Sequence, residues 1–130
     1  MSKLSIHTPE APPAAGPYSQ AIAVGPTVYL AGQIGLHPLT GAIAENFTEQ
    51  AHQALRNLRA VARTSGGDLS DVVKLGVFVV DLEQFAALNE VMTEYFSVPY
   101  PARTTIQAAK LPKGGLVEFD AVMVLSKQSR

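Results

Sequence analysis

The chain has 130 residues, 47% of them apolar and 16% charged, with a formal net charge of −1 and no cysteine. That length fits one domain, residues 1–130, around one substantial core. The balance offers no electrostatic footprint for nucleic acid or an anionic membrane, and the missing thiol excludes disulfides, thiolate catalysis and Cys-type zinc sites.

So sparse a surface charge points to subunit contacts covering part of the molecule, or else to an exposed apolar patch on a monomer. No stretch approaches the ~20 apolar residues of a membrane span. Four prolines by position 17 replace the continuous apolar segment of a signal peptide. The chain therefore reads as soluble, unprocessed at its start and compatible with the cytoplasm.

Residues 1–17 form an extended, Pro-rich segment whose "TPEAPPAAGP" (8–17) leads into a turn at Gly16-Pro17-Tyr18 that presents an aromatic hydroxyl. Strands are predicted near 19–24 and 27–34, joined as a hairpin by "VGPT", and "HPLTG" (37–41) reads as another turn. From Asn46 to Ser65 the apolar residues Phe47, Ala51, Ala54, Leu55, Leu58, Val61 and Ala62 fall on one face of a helix, with Gly66-Gly67 as its stop.

"VVKLGVFVV" (72–80) is almost continuously apolar and predicts a central strand covered on both faces. Asp81 then reads as an N-cap with Gln84 three residues on, close to a capping box. The helix it starts carries Leu82, Phe85, Met92, Tyr95 and Phe96 on one face, and Pro99 and Pro101 end it. Two final strands, Arg103–Ala109 and Leu116–Leu125, flank a Pro-Lys-Gly-Gly turn. The order ββ, α, β, α, ββ predicts an α+β fold, a mixed sheet packed on one face by two helices.

The chemistry-bearing positions each admit a plain reading beside a functional one. Arg103, at a strand start, is either an ion-paired surface residue or a planar fork for a substrate carboxylate, with small neighbours Ala102, Thr104 and Thr105 leaving room. Glu118, with Asp120 two residues on, is either polar alternation on an exposed face or a base whose pKa burial would raise; either carboxylate could instead pair with Arg103. Tyr18 is either an aimed hydroxyl or a packing aromatic with a wet tip. Asn89 falls on the apolar face of its helix, where a buried amide needs partners.

"GQIG" (32–35) precedes a Pro-containing turn rather than a helix, so it is no dinucleotide loop. His7, His37 and His52 lack metal-ligand spacing, and His52 falls off the core face of its helix. No serine sits in a nucleophile elbow, and nothing resembles aromatic–basic interleaving for RNA.

Six ordered motifs, "GPYSQA" (16–21), "AGQIG" (31–35), "VVK" (72–74), "NEVMTEYF" (89–96), "PAR" (101–103) and "LPKGGLVEFDAV" (111–122), resemble the reactive intermediate deaminase (RidA) family, whose members also carry translation-inhibitor and endoribonuclease L-PSP labels. The resemblance spans about Gly16 to Val124. It implies a trimeric fold similar to the small chorismate mutases, with pockets between subunits. The implied activity is hydrolysis of 2-iminobutanoate, 2-iminopropanoate and their enamine tautomers, released by pyridoxal-phosphate-dependent dehydratases, to 2-oxo acids and ammonia.

It further implies Arg103 as carboxylate clamp, Glu118 as the residue that positions or polarises water, and Tyr18 closing the pocket from an adjacent subunit. Asn89 would be a supporting amide, and backbone groups near Gly32 and Thr105 would complete substrate binding. No metal or organic cofactor, membrane or specific nucleic acid is implied. Thr105, Leu75-Gly76 and Ala31 depart from common family residues and bear on substrate range. Three rivals remain: a non-catalytic 2-oxo-acid sensor, an RNA-directed ribonuclease or translation inhibitor, and a chaperone-like trimer. The first would use the same Arg103.

Overall fold

The computed structural model describes residues 2–126. Six strands form one sheet in the order β1-β2-β3-β6-β4-β5. They are β1 (Leu4–Ile6), β2 (Ala21–Val24), β3 (Thr27–Ile34), β4 (Val72–Val79), β5 (Ala102–Gln107) and β6 (Val117–Val124). Neighbours run antiparallel except β4 and β5, which are parallel. Two helices, α1 (Phe47–Thr64) and α2 (Phe85–Met92), complete the α+β fold.

α1 is specified at both ends. Asn46 Oδ1 accepts the Glu49 N–H at 3.0 Å, capping the first turn, where Glu49 suits the helix dipole. At the other end Gly67 N donates to Ala62 O and Gly66 N to Arg63 O, both at 3.1 Å, while Gly66 holds φ 103°. This is a Schellman close, and its left-handed residue is glycine because a Cβ would strain there. The predicted apolar face is the buried one, and Leu55, Leu58, Ala51 and Ala54 are fully covered against the sheet. Each large side chain so buried contributes about 1.5–3 kcal/mol.

Two polar residues on that face anchor loops. Asn57 Nδ2 donates to Ile34 O and Leu36 O at 3.2 and 2.8 Å, and Gln50 takes the Leu116 N–H at 2.7 Å. Both pin the ends of β3 and β6 onto the helix, so buried amides serve as tethers here rather than as liabilities.

The structure departs from the sequence reading in five places. β1 was absent from it: three residues carry too little alternation to stand out. β4 is covered on one face only, since Leu75, Val77 and Val79 are buried while Lys74 is exposed and Gly76 and Phe78 are partly exposed on the other side. Strand order, on which the sequence is silent, puts β4 between β6 and β5, so the last two strands are not neighbours.

Asp81 accepts the Glu83 N–H at 2.9 Å without a reciprocal bond from Gln84, and a 3-10 turn, Leu82–Gln84, precedes α2. The buried side of α2 is Leu88, Val91 and Met92; Leu82 and Phe85 are exposed. Finally, His52 is partly buried, with Nδ1 2.9 Å from the Tyr95 hydroxyl.

Candidate active site

The sheet has two faces with different fates. Val117, Phe119, Ala121 and Met123 of β6 point to the helices and are buried. The alternate residues, Glu118, Asp120 and Val122, point to the uncovered side. On β5 the register puts Arg103 opposite Leu75 and Thr105 opposite Val77, so both side chains lie on the helix-covered face. Glu118 is opposite Phe78 and lies on the uncovered one.

Arg103 stands on the edge strand beside α2. Its Nη1 donates to Asn89 Oδ1 at 2.6 Å and contacts Met92 Sδ at 3.1 Å, and the guanidinium carbon sits 5.1 Å from the Phe85 ring centroid. Phe85, Asn89 and Met92 are spaced i, i+4 and i+7, one stripe of the helix. They brace the guanidinium from one side and leave Nε and Nη2 without an acceptor among the described residues. No carboxylate pairs with Arg103 either: the ion pairs among the described residues are His52–Glu94 and Arg63–Asp68. Beside it lies a cleft of about 290 Å³ whose walls include Asn89, Met92, Thr93, Tyr100 and Pro101.

β5 contributes backbone as well. Ala108 N donates to Val79 O at 2.7 Å, which fixes the phase of the β4–β5 ladder. By alternation, Ile106 and Thr104 also bond inward, and Arg103, Thr105 and Gln107 direct their N–H and C=O groups to the free edge. Thr105 Oγ1 is buried without a hydrogen-bond partner among the described residues.

Glu118 packs over Gly32. A Cβ at Gly32 would overlap Glu118 Oε2, so glycine there is what lets the carboxylate lie against β3. The pairing of β3 with β6 shifts register between Leu30 and Gln33, and this irregularity brings Gly32 beneath Glu118. Burial raises the Glu118 carboxyl above the usual glutamate range, and the nearby Asp120 adds to the shift.

Tyr18 is 54% exposed at the opposite end of the sheet. Its hydroxyl accepts the Ala15 N–H at 3.2 Å, and it borders a recess shared with Tyr29 and Ala31 on the uncovered face. From β2 to β5 are four strand spacings, about 19 Å.

The predicted site residues therefore fall into two groups. Arg103, Asn89 and Thr105 cluster at the β5 edge beside α2. Glu118, Gly32 and Tyr18 share the uncovered face. Spacing puts Phe85 and Met92 on one apolar helix face; Met92 is buried there, whereas Phe85 is exposed and braces the arginine, which spacing could not distinguish from packing. The first group can clamp a carboxylate with a planar fork and offer main-chain donors. The second offers a carboxylate biased towards its protonated form and an aromatic hydroxyl.

The endoribonuclease L-PSP family model matches residues 8–125. A curated relative, the 2-iminobutanoate/2-iminopropanoate deaminase of Dermatophagoides farinae, is 45% identical over 124 residues, covering 95% of this chain and 97% of its own. The crystal structure of RidA from an Antarctic Psychrobacter superposes with a TM-score of 0.92 at 48% identity, covering 94% of this chain and 99% of that one. TdcF of E. coli, solved with bound serine, gives a TM-score of 0.90 at 37% identity, with coverage of 95% and 99%.

Proposed function

The chain belongs to the endoribonuclease L-PSP family, and from that premise we propose that it is a 2-iminobutanoate/2-iminopropanoate deaminase, a hydrolase acting on C=N bonds. The observation that carries this reading is Arg103: braced by Asn89 and Phe85, unpaired with any carboxylate among the described residues, and open along its Nε–Nη2 edge. Such an edge takes a carboxylate through two parallel hydrogen bonds.

In this reading the substrate carboxylate docks on Arg103 and its iminium end reaches the free backbone groups of Thr105. Glu118 holds a water against the imine carbon. The water oxygen bonds to that carbon, the C=N π pair moves to nitrogen, and one water proton passes to Glu118. Glu118 returns that proton to the amine nitrogen of the carbinolamine, and the C–N bond breaks with its electron pair leaving on nitrogen as ammonia. The hydroxyl oxygen forms the carbonyl as its proton passes by way of Glu118 to the ammonia. The sum is protonated imine plus water giving 2-oxo acid plus ammonium. A protonated imine is already electrophilic, so positioning one water supplies most of what is needed, and a general base adds about 10²–10⁴-fold.

Because Arg103 and Glu118 face opposite sides of the sheet, the reading requires a second chain. We place the site between subunits of a homotrimer, with the uncovered face of one chain, exposing Tyr29 and Val124, against the β5 edge of the next. Tyr18 then closes the pocket from across the interface. We place the reaction in the cytoplasm, in keeping with a chain that has no cysteine.

The test is release of ammonia and 2-oxo acid from freshly generated 2-iminobutanoate, with semicarbazide competing for the imine. Wild-type protein accelerates release and Arg103→Ala does not. No acceleration over solvent by a folded oligomer would overturn the enzyme and leave the 2-oxo-acid sensor, which uses the same arginine.

A further inference from the structure

The net charge conceals a local concentration of arginine. Three of the five arginines, Arg56, Arg59 and Arg63, lie within eight residues of α1. Spaced i, i+3 and i+7, they form one stripe spanning about 10 Å along the helix axis. They border a cleft of about 580 Å³ between α1 and the chain around residues 10 and 37–38, whose walls also hold Glu10, His37 and Gln53.

Each group in that cleft is held, and what remains free is almost entirely donor. Arg63 Nε is fixed on Asp68 Oδ2 at 3.0 Å, Arg56 Nη2 on Gln53 Oε1 at 3.2 Å, and the Arg59 guanidinium lies 5.4 Å from the Tyr95 ring centroid. Gln53 spends its amide on Asn57 Oδ1 at 2.9 Å, and Asn57 spends its own on the Ile34 and Leu36 carbonyls. His37 Nδ1 accepts the Leu39 and Thr40 N–H groups at 3.2 and 3.4 Å, which leaves the ring proton on Nε2. The exception is Glu10, whose carboxylate shares the rim. Three guanidinium groups, one of them already paired with Asp68, stand against the Glu10 rim carboxylate, and their unspent N–H groups suit a ligand with several oxyanion acceptors.

We propose that this cleft is a second ligand site, separate from the imine site, that binds a small multiply charged oxyanion of the phosphate class. Arginine suits it because the planar fork matches phosphate oxygens in a way an ammonium does not. A monoanion gains too little to offset Glu10; a diphosphate can engage Arg56 and Arg63 together while His37 Nε2 donates from the facing wall.

The test is calorimetric titration of the full-length protein with inorganic pyrophosphate and with phosphate, at ionic strength fixed by chloride. Saturable binding of one pyrophosphate per chain is expected, at least tenfold tighter than phosphate. Arg56→Gln/Arg63→Gln weakens it by roughly 30-fold or more, since hydrogen bonds to charged groups are lost. Arg103→Ala binds as wild type does, and the double variant keeps wild-type imine turnover and oligomeric state. Absence of saturable binding overturns the proposal. So does equal binding of phosphate and pyrophosphate, or unchanged affinity in the folded double variant. Loss of binding in Arg103→Ala would assign the anion to the carboxylate clamp instead, and equally overturns a second site.

Discussion

Arg103 and Glu118 lie on opposite faces of one sheet, two strand spacings apart, with their side chains directed away from each other. No rotamer change within a chain brings the guanidinium and the carboxylate to a common substrate. The pleat alone forbids it, because side-chain direction alternates residue by residue along each strand.

Subunit complementation follows. Arg103→Ala and Glu118→Gln proteins should each be inactive, and mixed oligomers reassembled from equal amounts should recover activity. If each site takes Arg103 from one chain and Glu118 from its neighbour, random mixing restores about a quarter of the sites. Turnover no higher than in either parent would place both groups in one chain and refute the interface.

The brace on Arg103 has its own signature. Arg103→Lys keeps the charge and loses the fork, so kcat/KM should fall by about 10²-fold or more, as expected for losing charged hydrogen bonds. Asn89→Ala should raise KM by about tenfold with a smaller effect on kcat, because the guanidinium loses one orienting contact and not its charge. Asn89→Asp should be worse than Asn89→Ala: a carboxylate there would engage the fork that the substrate needs. Steady-state kinetics on the three variants, with circular dichroism as the folding control, decides between a positioning amide and a merely structural one.

Activity should depend on pH through Glu118. Its carboxyl titrates above the ordinary glutamate value of 4.5, from burial first and Asp120 second. A water-positioning base works deprotonated, so the acid limb of the rate profile should lie above the usual glutamate range. Asp120→Asn should move that limb down without returning it fully, since burial remains. The stability sign is opposite to that of a salt-bridged acid. The folded state holds the Glu118 proton more tightly than the unfolded state, so its contribution is full below the unfolded pKa and is lost as pH rises through the folded one. A Glu118→Gln protein should lack this part of the pH dependence of unfolding, and an unchanged profile in denaturant melts would contradict the assignment.

Gly32→Ala tests the contact beneath Glu118. The added Cβ would occupy the carboxylate's position, so Glu118 must turn away. Turnover should drop by about 10²-fold, the lower end of a general base's contribution, while the fold is kept, because the displaced atoms end a side chain facing the uncovered side. Gly32→Ala with wild-type turnover would show that Glu118 is not used in this pose.

Local chemistry determined much of this molecule. The α1 face from Phe47 to Ala62, its Asn46 cap and glycine stop, and the β2–β3 hairpin rest on residues within a few positions of one another, so periodicity and capping declare them. The motifs around Arg103 and Glu118 likewise marked the residues proposed to carry the chemistry. Tertiary structure decided where those residues lie. Strand order placed β4 between β6 and β5, which separated two segments that follow each other in sequence and left one face of β4 bare. Pairing phase set Arg103 towards α2 and Glu118 away from it. It also turned Phe85 from presumed core into an exposed brace, left Met92 in the core with its sulfur against the guanidinium, and gathered the α1 arginines opposite His37. Spacing along a chain fixes which residues share a face of one element; which face meets which depends on contacts between distant segments, and those are set by the cooperative burial of the whole sheet.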